Sequence, residues 1–340
     1  MLPTAMIRRS WAAQARRVAF TVALTTAATL MAVARAQPAG NQGRTDSEWL
    51  QAIQNAAQRT NYSGTIYYQQ GALVRSSRIV HQFDGGVAYQ RVQILDGERR
   101  EYVRKDEAVQ CLLPESKRVI IEKRPIGGHF PALSTAAPED ILRSYNLRKG
   151  PGDRVADLDC QVIVLEPKDA KRYGYRLWVE RTTGLLLRAQ MLNADDDVIE
   201  QMAFTDVRIG EPFDASRLKA SWPTDGWRVD KIETKPVELG WAFEVPAGFR
   251  QQSAVARRFS RSSAHDTLQA VYSDGLATFS VFIEPDHGSD SAAGSGNGGS
   301  RGPVSAYVHR LGDTMITVVG EVPPETVRNV ALSVKAPQAR

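Results

Sequence analysis

The residues able to do chemistry in this 340-residue chain are spaced wrongly for it. Gly294, Gly296 and Gly299 satisfy the dinucleotide-binding pattern by letter. A working version follows a parallel strand and opens a helix, so that backbone amides meet a pyrophosphate. Here the glycines sit in a Gly/Ser-rich run, residues 287–302, which predicts a mobile loop instead. Asp195, Asp196 and Asp197 offer carboxylates to a cation, but no further ligand follows at a fixed spacing, and the run reads as a solvated hairpin turn. The five histidines contain no i, i+4 pair of the kind zinc hydrolases use, and no Gly-x-Ser-x-Gly elbow occurs. This pattern argues for a binding protein with no catalytic residues, no cofactor and no metal.

Charge is distributed unevenly. Arg8, Arg9, Arg16 and Arg17 flank an apolar run, residues 18–33, that ends in Ala34-Arg35-Ala36, a small-x-small pattern expected where an export signal is cleaved. The chain holds 43 Lys and Arg against 38 Asp and Glu; five Arg and no acid fall in residues 1–36, so residues 37–340 carry 38 of each sign. A near-neutral exported chain argues against nucleic-acid binding, which needs a cationic face to displace counterions. The apolar run is shorter than the roughly twenty residues that span a bilayer. No Cys stands at the cleavage site, so general secretion without a lipid-modified N-terminus is expected.

The two cysteines, Cys111 and Cys160, lie in strand-like segments, and no Cys-x-x-Cys spacing activates either. An oxidising compartment permits a disulfide between them. It would close a loop of about fifty residues, for a stabilisation of roughly 4 kcal/mol on chain-entropy grounds. Two buried thiols acting as small hydrophobes are the alternative.

The elements that must hold these residues begin with a helix. Thr45 and Glu48 fit a capping box, and Trp49, Leu50, Ile53, Ala56 and Ala57 recur at helical spacing behind it. Strand patterns then follow one another at residues 62–70, 73–83, 87–95, 99–105, 108–113 and 117–123. Asp84-Gly85-Gly86 and Asp96-Gly97 supply hairpin turns. A short helix is expected at 138–145 and further strands at 155–158, 161–165, 173–180, 185–192 and 198–209. Val162 and Val164 oppose Ile163 and Leu165, so both faces of this sheet need cover. A strongly curved sheet wrapped around helices provides it, and the same curvature leaves an apolar cavity able to hold a lipid chain.

The domain boundaries expected are a signal at 1–36, a large domain at 37–210, a Pro-rich connector at 211–245 and a smaller α+β domain at 246–340. The connector carries Trp222, Trp227 and Trp241, which are expected to seal the two domains together. In the smaller domain five strands and a closing helix, opened by Pro323-Pro324, are expected.

Several stretches resemble the RseB/MucB family of periplasmic sigma-E regulators. They are Asn61-Tyr62-Ser63-Gly64-Thr65, Asp96-Gly97-Glu98-Arg99-Arg100-Glu101 and Arg172 to Val179 in the larger part. In the smaller part they are Tyr272 to Val281 and Val318-Val319-Gly320-Glu321-Val322-Pro323-Pro324. The resemblance implies a large domain similar to the lipoprotein carriers LolA and LolB, an open antiparallel barrel with a helical plug, joined to a small α+β domain. It implies a periplasmic negative regulator that clasps the periplasmic segment of a membrane-spanning, RseA/MucA-like anti-sigma factor and shields it from proteolysis. Lipid A, lipopolysaccharide or a lipoprotein would release it. A homo-oligomer is compatible with this, and a lipoprotein or lipid carrier without a regulatory partner is the alternative.

Candidate lipid-cavity residues, each at an apolar strand position, are Tyr67, Phe83, Val92, Val119, Ile121, Leu165, Val179, Leu187, Met191 and Met202. Candidate partner-binding residues are Trp222, Trp227, Tyr272, Phe279 and Phe282, with Arg99 and Arg100 available to a phosphate or an acidic partner. Phe279 and Phe282 point to opposite faces of one strand, so at most one of them is exposed.

Overall fold

The computed structural model describes residues 43–123, 130, 136–232, 234–257, 266–286, 296 and 298–337. The expected export signal and most of the Gly/Ser-rich run lie outside the described residues. Helix α1, Asp46–Arg59, starts as its sequence requires: Thr45 Oγ1 accepts from the Glu48 amide, and the Glu48 carboxylate accepts from the Thr45 amide at 2.6 Å. Its apolar stripe is enclosed, with Trp49, Leu50 and Ile53 fully buried.

A twelve-stranded sheet receives that stripe. Strands β1 (Tyr62–Gln70), β2 (Leu73–Asp84), β3 (Val87–Ile94), β4 (Arg100–Lys105), β5 (Ala108–Leu113) and β6 (Arg118–Lys123) form one antiparallel meander. After helix α2, Pro138–Ser144, a second meander follows: β7 (Tyr145–Val155), β8 (Leu158–Pro167), β9 (Gly174–Glu180), β10 (Leu186–Leu192) and β11 (Val198–Ile209). Pairing of β1 with β11 joins the two. At that seam Gly64 is required, because a Cβ there would lie 2.2 Å from the Asp206 carbonyl oxygen. The sheet runs from β12 (Arg228–Lys231) at one end to β7 at the other, so it does not close into a barrel.

Strand β7 is an element the sequence reading passed over. Its residues 146–154 hold one large apolar side chain, Leu147, and include Gly150, Pro151 and Gly152, and it is an edge strand whose register shifts between Lys149 and Gly152, where a proline is tolerated. The turn to β8 places Ala156 and Asp157 at φ 48° and 68°, a primed hairpin built without glycine. As expected, β8 is apolar on both faces. Ile163 and Leu165 pack with α1 and α2, while Val162 and Val164 pack with Trp178 and Leu187. The three aspartates at 195–197 form the β10 to β11 turn, where Asn193 Oδ1 accepts from the amides of Asp195 and Asp197.

The second sheet has seven strands, in the order β13 (Thr234–Pro236), β14 (Arg250–Arg257), β15 (Thr267–Ser273), β16 (Thr278–Pro285), β19 (Thr314–Gly320), β18 (Val304–Leu311) and β17 (Gly298–Arg301). Helix α3, Pro324–Leu332, covers it with Val327, Val330 and Ala331. Thus residues 211–245 are more than a linker: β12 pairs in parallel with β6 of the first sheet, and β13 pairs with β14 of the second.

Side chains fasten the parts together. Ser63 donates to Glu211 at 2.7 Å and receives Arg217 at 2.7 Å, and the fully buried Glu101 accepts from Arg91 at 2.5 Å and from the Ser221 amide at 2.8 Å. Between the sheets, Arg172 Nη1 donates to Asp274 at 2.5 Å, with both side chains shielded from solvent. Arg172 also donates to Asp169 and to the Ala247 carbonyl, and its guanidinium lies 5.0 Å from the Phe249 ring centre. Burial pushes the Asp274 carboxyl up, against the pull of the Leu276 amide, Arg172 and the Ala277 amide.

Candidate functional site: an apolar cavity between two sheets

One cavity of about 490 Å³ is lined by residues of β1, β2, β3, β4, β5, β9, β10 and β11. These eight strands are consecutive neighbours in the sheet. Laid flat they would span about 34 Å at roughly 4.8 Å per step, so the sheet has to curl for all of them to face one space. The lining is chiefly apolar, with Ile66, Ile79, Val92, Ile94, Leu186 and Met202 contributing. Leu276 and Glu321 reach in from the second sheet, so both sheets bound the space.

Register explains which face is inside. Gly64 stands opposite Ile79, and Ile79 opposite Val92, which puts Ile66 on their face and turns Tyr67 away. Of the ten cavity residues expected from sequence, Val92, Met191 and Met202 line the space. Leu165 and Val179 instead form the core beneath α1 and α2, and Leu187 is fully buried in a second cluster that includes Trp178. Tyr67 accepts a hydrogen bond from Gln201 at 2.5 Å on the outer face. Val119 and Ile121 sit on β6, one strand beyond the lining, and Phe83 stands at the far end of β2.

The polar lining was not anticipated. Gln90, Tyr102, Arg104, Gln190, Glu200 and Glu321 all border the cavity. Tyr68 Oη donates to Glu200 at 3.0 Å. Burial, reinforced by the charge of Glu321 and opposed by the Tyr68 hydrogen bond, pushes the Glu200 carboxyl up to about 7. Alternation along β11 carries the signal for this residue, because Glu200 occupies the same face as Met202.

The expected partner residues divide between two places. Arg99, Trp222 and Trp227 come together with Pro114, Glu115, Lys117 and Pro223 around a shallow groove of about 350 Å³ on the first sheet's β12 side. Arg100 is outside it and pairs with Glu98 at 3.5 Å. Tyr272 and Phe279 are corrections: their rings stack at 5.3 Å within the small-sheet core, where Phe279 is 1% exposed, so neither offers a docking surface. Phe282 is half-buried on the other face of β16. Trp241 packs against the small-sheet core, so the three connector tryptophans do not form one seal between domains.

The expected disulfide is also corrected. Both thiols are free, and seven strands separate β5, which carries Cys111, from β8, which carries Cys160. Burial pushes the Cys160 thiol up to about 12, the condition of an inert core thiol.

Residues 45–222 match the MucB/RseB N-terminal domain and residues 235–335 the MucB/RseB C-terminal domain. The chain belongs to the MucB/RseB family. It is 32% identical over 304 residues to the sigma factor AlgU regulatory protein MucB of Pseudomonas aeruginosa, covering 85% of this chain and 90% of that one. With the sigma-E factor regulatory protein RseB of Escherichia coli it shares 26% over 295 residues, covering 84% and 89%. The structure of MucB in complex with MucA(peri) superposes with a TM-score of 0.69 at 29% identity, covering 87% of this chain and all of the other. These MucB/RseB relatives are regulatory proteins, which agrees with the reading of a binding protein rather than an enzyme.

Proposed function

We propose that this chain is a periplasmic regulator that holds the periplasmic segment of a membrane-spanning anti-sigma factor and shields it from proteolysis until a lipid or lipoprotein fills the cavity. The observation that carries this reading is a mostly apolar space bounded by both sheets, in a chain that aligns along nearly its whole length with a MucB structure in complex with MucA(peri). A ligand can release a partner only if it binds the free and partner-bound forms with different affinity. Leu276 and Glu321 give it that lever, since whatever fills the cavity touches both sides of the Arg172–Asp274 dock.

The anti-sigma segment is assigned to the expected aromatics that are half-buried rather than in the core, Trp222 and Trp227 in the groove and Phe282 on β16. Phe282→Ser should weaken capture of the segment without unfolding the protein, and an unchanged affinity in titration removes Phe282 from the contact. The deciding experiment is protease protection of the host's anti-sigma periplasmic segment by this protein, with and without lipopolysaccharide or a lipopeptide. Protection that lipid abolishes supports the regulator. Lipid binding without protection would favour a lipid carrier.

A further inference from the structure

Two open sheets leave strand edges, and most of these are guarded by the backbone itself. Strand β7 carries Pro151 and a register shift, β13 ends on Pro236, and β17 opens with Gly298 and Gly299. Strand β12, Arg228-Val229-Asp230-Lys231, contains neither proline nor glycine. Its inner side is satisfied: the amides of Arg228 and Ile232 donate to the carbonyls of Lys117 and Ile121, each at 2.9 Å. In a parallel ladder every second residue bonds to a given neighbour, so Val229 and Lys231 turn their N–H and C=O groups to the outer edge. Among the described residues no strand pairs with β12 on that side, and Val229 is 51% exposed.

What guards β12 is charge, and that charge has a sign. Arg99, Lys117, Arg118, Arg228 and Lys231 stand along the strand and its groove, against Glu115, Asp225 and Asp230. Asp230 is already held by Arg118 at 2.7 Å and by Arg228 at 2.9 Å, whereas Arg99, Lys117 and Lys231 are exposed. A second copy of the strand would bring this positive excess against itself, while an acidic chain turns the guard into an attraction. The groove lies at the start of β12, because Trp227 directly precedes that strand and Lys117 directly precedes its neighbour β6. A chain laid along β12 therefore runs onto Trp222 and Trp227. We propose that β12 captures an extended acidic stretch of the anti-sigma segment by strand addition, with main-chain bonds to Val229 and Lys231 and an apolar side chain on the two tryptophans. This rests on the regulator reading above and specifies how the segment is held. A stretch paired in this way is withheld from cleavage for as long as its bonds last, because cleavage needs the chain open.

The test uses the whole protein and the host's anti-sigma periplasmic segment. Hydrogen exchange should find the Val229 and Lys231 amides fast in the free protein and slowed about tenfold or more with the segment bound, while Asp230, bonded to β6, changes little. Val229→Pro deletes one outward N–H and spares the ladder to β6. It should weaken binding about tenfold, the scale of one lost hydrogen bond, whereas Val229→Thr keeps the N–H and should bind as the wild type does. Lys231→Glu should weaken binding more at low salt than at high salt. If Val229→Pro fails to fold, exchange in the wild type decides alone. Unchanged exchange at Val229 and Lys231 beneath a bound segment, or full binding by a folded Val229→Pro, overturns the proposal and leaves the regulator reading in place. Protection of those amides that grows with protein concentration in the absence of the segment means a second copy occupies the edge, and overturns it too. A segment that neither binds nor is shielded from protease removes both readings.

Discussion

Replacing Asp274 with alanine removes one half of the ion pair that docks the two sheets. Its carboxylate accepts from Arg172 at 2.5 Å and from the amides of Leu276 and Ala277 at 2.9 and 2.8 Å. The substitution leaves those two amides bare and strips Arg172 Nη1 of its partner, at a guanidinium only 1% exposed. Breaking a buried pair from one side costs about 3–5 kcal/mol. Asp169 still neutralises Arg172 through bonds of 2.9 and 3.0 Å, which argues for the lower end, about 3 kcal/mol. For a chain of this size that corresponds to a fall in melting temperature of about 5 °C. Urea unfolding followed by tryptophan fluorescence measures the cost. Arg172→Met in the same background should restore part of the loss, giving a coupling energy above about 1 kcal/mol in a double-mutant cycle. A cost for Asp274→Ala below about 1 kcal/mol, or strictly additive costs, would refute the view that this pair holds the sheets together.

Three shorter tests follow from the same structure. Thiol titration should find two reactive cysteines in the denatured chain and a strongly protected Cys160 in the native one, and a reductant should leave the melting temperature unchanged; a drop on reduction would mean a disulfide. Glu200, facing Tyr68, Glu321 and Tyr175 and raised from 4.5 to about 7, binds its proton more tightly folded than unfolded, so stability is lost as pH rises through that window. The full difference corresponds to about 3 kcal/mol, reduced to about 1–2 kcal/mol by solvent screening of a carboxyl that is only partly buried. Glu200→Gln should therefore gain on the wild type between pH 4.5 and 7, and a pH-independent difference would remove the carboxyl from the balance. Gly64→Ala should destabilise by about 2–3 kcal/mol in urea unfolding, because its methyl would press on the Asp206 carbonyl; a neutral result would mean that the β1 to β11 seam shifts freely.

Much of the fold was legible because local patterns and tertiary structure agree. Alternation, the Asp-Gly turns and the capping box each named an element that exists. The failures have physical causes. Strand β7 hides behind Gly150, Pro151 and Gly152, since an edge strand can carry residues that an interior one cannot. Strands β12 and β13 are four and three residues long, too short for a period to register. The cysteines looked pairable because sequence separation says nothing of how many strands the sheet inserts between them.

The cavity was legible as a need, from strands apolar on both faces, while most of its lining was not. A period of two sorts residues into two faces without saying which is inside; that assignment waits on register, and choosing Tyr67 over Ile66 is one step of parity. The stretches that carry the family resemblance say something different. Ser63 secures Glu211 and Arg217, Glu101 secures Ser221, and Arg172 secures Asp274. These polar side chains fasten the parts of the chain to one another, while Tyr175 and Glu321 from the same stretches line the cavity. The resemblance is thus a statement about how two sheets are held around a space. The chemistry of that space rests on Glu200, which no motif contains, and on Glu321, which the second sheet delivers to it.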